Sequence, residues 1–303
     1  MSENLTTHAI ITGPTGAIGI ALVNLLISKG FRVTVVVNPE SKRVENLPKS
    51  ELLSLIYCDL SDLKSISGFK CDTFYHLGWK GTFGSDRNDL KMQEENIQFS
   101  KDAVQLAHRL QCKTFIFAGS QAEYGRVNIP ISPDTPTSPE SEYGKAKLKT
   151  GFECSKLCNQ FNIKFIWTRI FSVYGPYDGA NTMVSSTITK LKNNIIPEFT
   201  KCEQQWDYLY SKDAASAFYL LAEKGRHDQI YCIGSGQVFP LRYYVETIQK
   251  VIGSATPLKI GAIPYSENQV MYLCADITTL TQDTGFVPQY SFKEGLFDLL
   301  QTQ

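Results

Sequence analysis

The chain has no surplus of either charge. Lys and Arg total 30 and Asp and Glu total 30 over 303 residues, so no overall field draws it to nucleic acid or to an anionic membrane. No apolar run approaches the ~20 residues of a membrane span. The start, Met1 to His8, is polar and lacks the basic-then-apolar layout of a secretory signal. A cytoplasmic protein with no nucleic-acid or membrane partner is expected, its partners being small molecules or further copies of itself. Metal ligands are also short. The eight cysteines lie scattered from Cys58 to Cys274 without a C-x-x-C pair, and the four histidines are equally dispersed, so no metal site is expected. Cys154 and Cys158 stand four apart in a helical pattern and read as small core or interface residues. Internal repeats and low-complexity segments are absent.

What is present is alternation. Short β-branched runs at His8 to Thr12, Arg32 to Val37, Leu53 to Tyr57, Thr73 to Leu77, Thr114 to Ala118 and Lys164 to Ile170 are separated by helical patterns, the mark of a parallel sheet with helices on both faces. Between the first two runs, Ile18, Leu22, Leu25 and Leu26 recur at helical spacing, and Gly30 closes the helix. Ser132 to Pro139 is a Pro-, Ser- and Thr-rich loop, followed by a helix from about Tyr143 to Phe161. The expected fold class is α/β, a Rossmann doubly wound parallel sheet with a smaller mixed C-terminal substrate domain. Residues 1–171 form the dinucleotide part and 172–303 mainly the substrate part, with a late return to the sheet near 229–240.

Thr12-Gly13-Pro14-Thr15-Gly16-Ala17-Ile18-Gly19 joins the first strand to the first helix. Gly13 permits a tight turn, Gly16 lets the backbone approach phosphates, and Gly19 lets the helix pack closely on the sheet, while the helix N-terminus offers free N–H donors. A dinucleotide pyrophosphate is expected along Gly13, Thr15, Gly16, Ala17, Ile18 and Gly19. The strand-to-helix setting is what gives the glycine pattern meaning. The second strand ends at Asn38, where an NAD site would place a carboxylate on the ribose hydroxyls. Ser41, Lys42 and Arg43 follow instead, suited to a 2′-phosphate. NADP is therefore the preferred cofactor, with Glu40 leaving NAD open.

Tyr143 and Lys147 lie four apart, on one helix face. A phenol with a pKa near ~10 is a poor base at neutral pH, and a nearby ammonium favours the phenolate. Ser120, in the block Ala118-Gly119-Ser120-Gln121-Ala122-Glu123-Tyr124-Gly125, stands just past the fifth strand, at the sheet edge where ligands bind. Its hydroxyl is placed to hold a carbonyl oxygen. Tyr and Lys at this spacing occur by chance in many helices. The nucleotide loop and Ser120 make the case for Ser120, Tyr143 and Lys147 as the catalytic set.

These motifs together resemble the short-chain dehydrogenase/reductase superfamily, in particular its extended members. The G-x-x-G-x-x-G spacing matches, and Arg169-Ile170-Phe171-Ser172-Val173-Tyr174-Gly175-Pro176 looks like the R-x-F-N-V-Y-G-P segment of members that act on nucleotide sugars. The resemblance covers nearly the whole chain, including the block Trp206 to Asp213. It implies adenine contacts from Asp59 and Leu60, a cofactor-lining turn at His76-Leu77-Gly78, and cofactor contacts from Asn96, Tyr143 and Lys147. It also implies a homodimer through the helices Asp89 to Leu110 and Tyr143 to Phe161, with Phe99, Ala103, Leu148 and Phe152 as apolar candidates. Two departures stand out: Ser172 and Trp206 occupy positions where relatives carry Asn and Arg. With Gln121 and Arg87 they are the candidate substrate contacts. Arg87, Asn88 and Asp89 serve either sugar hydroxyls or a helix cap.

Sugar-nucleotide 4,6-dehydratases carry an Asp-Glu pair just after the hydroxyl residue, and Gln121 and Ala122 occupy those positions here. By this resemblance, dehydration lacks its acid and base. Hydride chemistry remains. The basic residues after Asn38 and the similarity of the Gly119–Gly125 and Trp206–Asp213 blocks to 4-keto-reductases of the CDP-abequose synthase type favour reduction of a 4-keto-6-deoxy sugar carried on a nucleotide. Epimerisation with a tightly held NAD is the alternative. A catalytically silent NADP-sensing Rossmann protein and a reductase of non-sugar carbonyls stand as further alternatives.

Overall fold

The computed structural model describes residues 7–302, so the polar start expected from Met1 lies outside the described residues as far as Thr6. Seven parallel strands form one sheet. Those introduced first in the chain are β1 (His8–Thr12), β2 (Arg32–Val37), β3 (Leu53–Tyr57), β4 (Thr73–His76), β5 (Thr114–Ser120) and β6 (Lys164–Ile170). Across the sheet the order is Gln229–Ile233, β6, β5, β4, β1, β2, β3. The chain runs outward from β1 in one direction through β2 and β3, then in the other from β4 onward. The reversal between β1 and β4 opens a crevice at the carboxyl ends, which is where α/β sheets bind ligands. Register holds those ends level, with Thr12 beside His76 and Ser120 beside Ile170.

Both faces of the sheet are covered, so the strands are apolar throughout rather than alternating. On one face Ile11, Val33 and Val35 meet α1 (Ala17–Ser28). On the other, Ile10, Val36, Phe74 and Phe115 meet α2 (Leu90–Arg109) and α3 (Glu142–Gln160), and Cys154 and Cys158 of α3 are wholly buried there. Among the residues expected at a dimer interface, Ala103 is wholly buried in that same core, whereas Phe152 is 62% exposed. Asp89 caps α2 by accepting from the Met92 amide at 3.0 Å.

After β6 the chain leaves the sheet. β7 (Ser172–Tyr174) pairs with Tyr208–Tyr210, and α4 (Met183–Lys192) joins later helices around an aromatic-rich core of Tyr174, Tyr210, Tyr244 and Phe292. α5 (Ser211–Lys224), inside the stretch expected mainly to bind substrate, packs instead on α1 and the sheet through Ala214, Phe218 and Leu221. The strand Gln229–Ile233 then pairs with β6. Among the described residues no helix is long and apolar enough to cross a membrane, and no three His, Cys, Asp or Glu gather as metal ligands would.

Candidate active site

The loop after β1 is shaped by backbone. Gly13 has φ +69°, and a Cβ there would stand 2.8 Å from the Gly78 amide, so the β1 and β4 turns touch at this glycine. Gly19 is crowded: an added Cβ would run into the Gly13 carbonyl and stand 2.8 Å from Pro14. The helix packs on its own loop because the loop folds back over its first turn. Gly16 is the N-cap of α1, and a Cβ on it would meet only the Gly13 carbonyl, at 3.8 Å. Free amides facing open space fit a pyrophosphate. Gly13, Gly16, Ala17, Ile18 and Gly19 line a cleft of about 480 Å³, with Leu77 across from them. Thr15 is in the same loop but off the cleft wall. Thr12 ties the two strand ends together: its hydroxyl pairs with His76 Nδ1 at 2.8 Å and accepts from the Gly78 amide at 3.1 Å. Burial holds His76 down to about pKa 3, hence neutral.

At the ends of β2 and β3 the residues expected to take the adenosine half interlock. Asn38 donates to Asp59 at 3.0 Å, and Lys80 pairs with the other Asp59 oxygen at 2.9 Å. Although burial works against it, Asp59 is held below the usual carboxylate range by the Ser61 amide and by Lys80. Ser41 caps the short helix Lys42–Asn46 by accepting from the Arg43 amide. Lys42 is exposed, while Arg43 lines the cleft and donates to the Tyr177 carbonyl. Leu60 lies near Gly78, whose added Cβ would stand 3.1 Å from it. Asn96 is the residue expected to contact the cofactor. It is 1% exposed, and its amide is spent on Lys80 N and O and on Met92 O, at 2.8–2.9 Å. It clamps the loop after β4.

Ser120, Gln121, Tyr143 and Lys147 come together on the cleft wall. β5 runs two residues further than Ala118, because Gly119 and Ser120 pair with Arg169 and Ile170. Behind Ser120, Glu123 is completely buried and accepts from the Ser120 amide at 2.8 Å and from Arg169 Nε at 2.6 Å. Burial works against the Arg169 charge, but Glu123 and Tyr124 outweigh it and raise its pKa. Burial pushes the Glu123 carboxyl up while Arg169 and the Ser120 amide pull against it. With donors converging at these distances, the pair is ionised.

Lys147 is 3% exposed. Its Nζ donates to the Ala118 carbonyl at 2.6 Å, lies 3.7 Å from the centre of the Trp79 ring and is 5.8 Å from the centre of the Tyr143 ring. Burial lowers it to about pKa 7, against an upward pull from Glu123. The cation closer to the Tyr143 ring is Arg87, 4.3 Å from its centre. Burial pushes the Tyr143 phenol up, and Ser120 and Arg87 draw it down.

Ser172 and Trp206 both line the cleft, and they touch. Trp206 Nε1 donates to Ser172 Oγ at 2.7 Å. Trp206 is held by a strand between Phe239–Pro240 and Tyr272–Leu273, and the adjacent Asp207 is fixed by the amides of Ser235, Gly236 and Ala275. Asp178 also faces the cleft, its oxygens accepting from the Gly179 amide and the Thr182 hydroxyl.

A family model, the NAD dependent epimerase/dehydratase family, matches residues 9–234. The chain belongs to that family. It is 26% identical to a dTDP-4-dehydro-6-deoxyglucose reductase of Escherichia coli, over 97% of this chain and 96% of that one. It is 23% identical to a CDP-abequose synthase of Salmonella muenchen, over 96% of each. A solved UDP-glucose 4-epimerase of Thermotoga maritima has the same fold, with TM-score 0.88, 23% identity and 98% of both chains covered.

In this member of the epimerase/dehydratase family, residues 13, 16–19 and 77 would hold the nicotinamide dinucleotide, which supplies the hydride donor or acceptor. Sequence reasoning overlooked Trp79 and Glu123. A charged residue within the turn after a buried strand was the available signal for Glu123. Trp79, one of three tryptophans in the chain, follows the His76-Leu77-Gly78 turn directly.

Proposed function

We propose that the chain reduces the 4-keto group of a nucleotide-linked 6-deoxy sugar to an alcohol, with NADPH as the hydride source and Tyr143 as the proton donor. The observation that carries this reading is the character of the three residues after Ser120. Gln121 faces the cleft and Ala122 is buried, while Glu123 is locked to Arg169. Tyr143 is thus left without the second acid–base pair that elimination of water requires. Addition of a hydride to the carbonyl carbon and of one proton to its oxygen needs no such pair. Ser120 orients the oxygen, and the Tyr143 hydroxyl hands it the proton. The similarity to a reductase of dTDP-4-dehydro-6-deoxyglucose supports the same substrate class. For the cofactor, the absence of a carboxylate at Asn38 and the position of Arg43 at the cleft support NADP over NAD.

The test mixes the protein with NADPH or NADH and a panel of nucleotide 4-keto-6-deoxy sugars and follows loss of the reduced cofactor. Turnover preferring NADPH is expected, with Tyr143→Phe about 10³-fold slower. Stoichiometric NAD released from denatured protein, with interconversion of C4 epimers, would instead establish the epimerase. Tight cofactor binding with no turnover of any sugar would favour the silent sensor.

A further inference from the structure

Arg87 lies in the short helix Gly84–Asn88, in the loop after β4, and its guanidinium is laid on the ring of Tyr143, both residues lining the cleft. Its position is built. Arg87 Nη1 donates to the Thr82 carbonyl at 3.0 Å. Gln93 of α2 binds the carbonyls of Gly81 and Asp86, each at 2.9 Å. Asn88 accepts from the Glu142 amide at 3.2 Å and so docks the segment on the start of α3, next to Tyr143.

The charged groups around Tyr143 come from three elements. Lys147 shares its helix, but its ammonium is engaged by the Ala118 carbonyl and the Trp79 ring. Glu123, in the turn after β5, is neutralised by Arg169. Arg87 presents an uncompensated positive charge to the phenol ring, since no carboxylate is paired with it among the ion pairs of the described residues. A guanidinium on an aromatic face is attracted by the ring's quadrupole, and it is attracted more strongly once the ring carries a full negative charge. An interaction stronger in the deprotonated state shifts the equilibrium towards that state.

Resting on the reading of Tyr143 as the proton-exchanging group, we propose that Arg87 is a positioning residue that acts through Tyr143, stabilising the phenolate that remains when the proton is delivered. The expected sugar-hydroxyl contact would make Arg87 a substrate clamp. The geometry gives it this further task.

Phenolate absorbance is titrated in the protein and in Arg87→Gln, each against its Tyr143→Phe counterpart so that one tyrosine among 15 is isolated. The Tyr143 midpoint rises by about one pH unit in Arg87→Gln. Arg87→Lys, which keeps charge without the flat fork, recovers part of the shift. In kcat against pH, the alkaline limb of carbonyl reduction, where the phenol must be protonated, moves up by the same amount. So does the acid limb of alcohol oxidation, for about a tenfold loss in oxidation rate at pH values below the midpoint. An unmoved midpoint, or a rise in KM with unchanged pH profiles, overturns the proposal. The absorbance titration needs no substrate, so it still decides the role of Arg87 if the reaction assigned to the site is wrong.

Discussion

Arg169 and Lys147 are both cations buried beside the end of β5, 2% and 3% exposed, yet they keep different company. Arg169 meets the Glu123 carboxylate at 2.6 Å and stays charged. Lys147 has a carbonyl and an indole ring for neighbours, and burial brings it to about pKa 7. Two basic groups at similar depth therefore do different work. The paired one fixes the Ser120 backbone by way of Glu123. The one without a contacting carboxylate has its proton affinity tuned to the neutral range, where a group near a reacting centre is useful. Depth alone does not separate a structural charge from a functional one. The partner does.

The largest expected effect breaks the paired side. Glu123→Ala leaves Arg169 buried without a counter-charge and takes an acceptor from the Ser120 amide, and should lower unfolding free energy by about 4 kcal/mol in denaturant titration. Removing both charges together, as Glu123→Gln with Arg169→Met, should recover most of that loss. If the single variant were as stable as the parent, the ion pair would not hold this turn.

The next effect has the opposite sign and comes from the other side. Lys147 is neutral when folded and protonated when unfolded between its lowered pKa of about 7 and its ordinary 10.5. The unfolded chain binds more protons in that window, so stability rises with pH across it, and the cost of burying the charge is present in full below about pH 7. At ~1.4 kcal/mol per pH unit that cost is on the order of 5 kcal/mol, partly offset by the hydrogen bond to Ala118. Lys147→Met should therefore stabilise the cofactor-free protein by about 3 kcal/mol at pH 6, with the gain shrinking towards pH 10, while turnover is lost. A melting-temperature series over pH checks it, and a destabilised variant at pH 6 would contradict the contrast with Arg169.

The sheet was legible because its signal is local. β1, β2, β3 and β6 begin and end where the strand-favouring runs read from the sequence begin and end, and Gly13 and Gly16 sit where a strand meets a helix. β5 outruns its β-branched stretch by two residues because Gly119 and Ser120 lack strand propensity and are held by pairing with β6. The short helices Lys42–Asn46 and Gly84–Asn88 left no periodic trace. The company of each charge was not legible at all. Arg87 on Tyr143, Glu123 on Arg169 and Lys147 on Trp79 join residues from different elements, and spacing along the chain reports only neighbours on the same element. Spacing therefore suggested Lys147 for Tyr143, and the fold brought Arg87 closer to its ring.

The smallest effect concerns a contact with no charge in it. Ser172 and Trp206, where the resemblance in sequence implies Asn and Arg, share one 2.7 Å hydrogen bond at the cleft wall. If they are a matched pair, the energies of changing them are not independent. Ser172→Ala strands the indole N–H, Trp206→Phe strands the hydroxyl, and the double variant strands neither. A double-mutant cycle followed by denaturant unfolding should give a coupling of about 1 kcal/mol, roughly a fivefold change in the folding equilibrium. That is smaller than either charge effect because both groups are neutral and only half-buried. Additivity within ~0.3 kcal/mol would mean that the two substitutions merely lie close together. A measurable coupling would make them one unit, an indole bonded to a hydroxyl on the cleft wall.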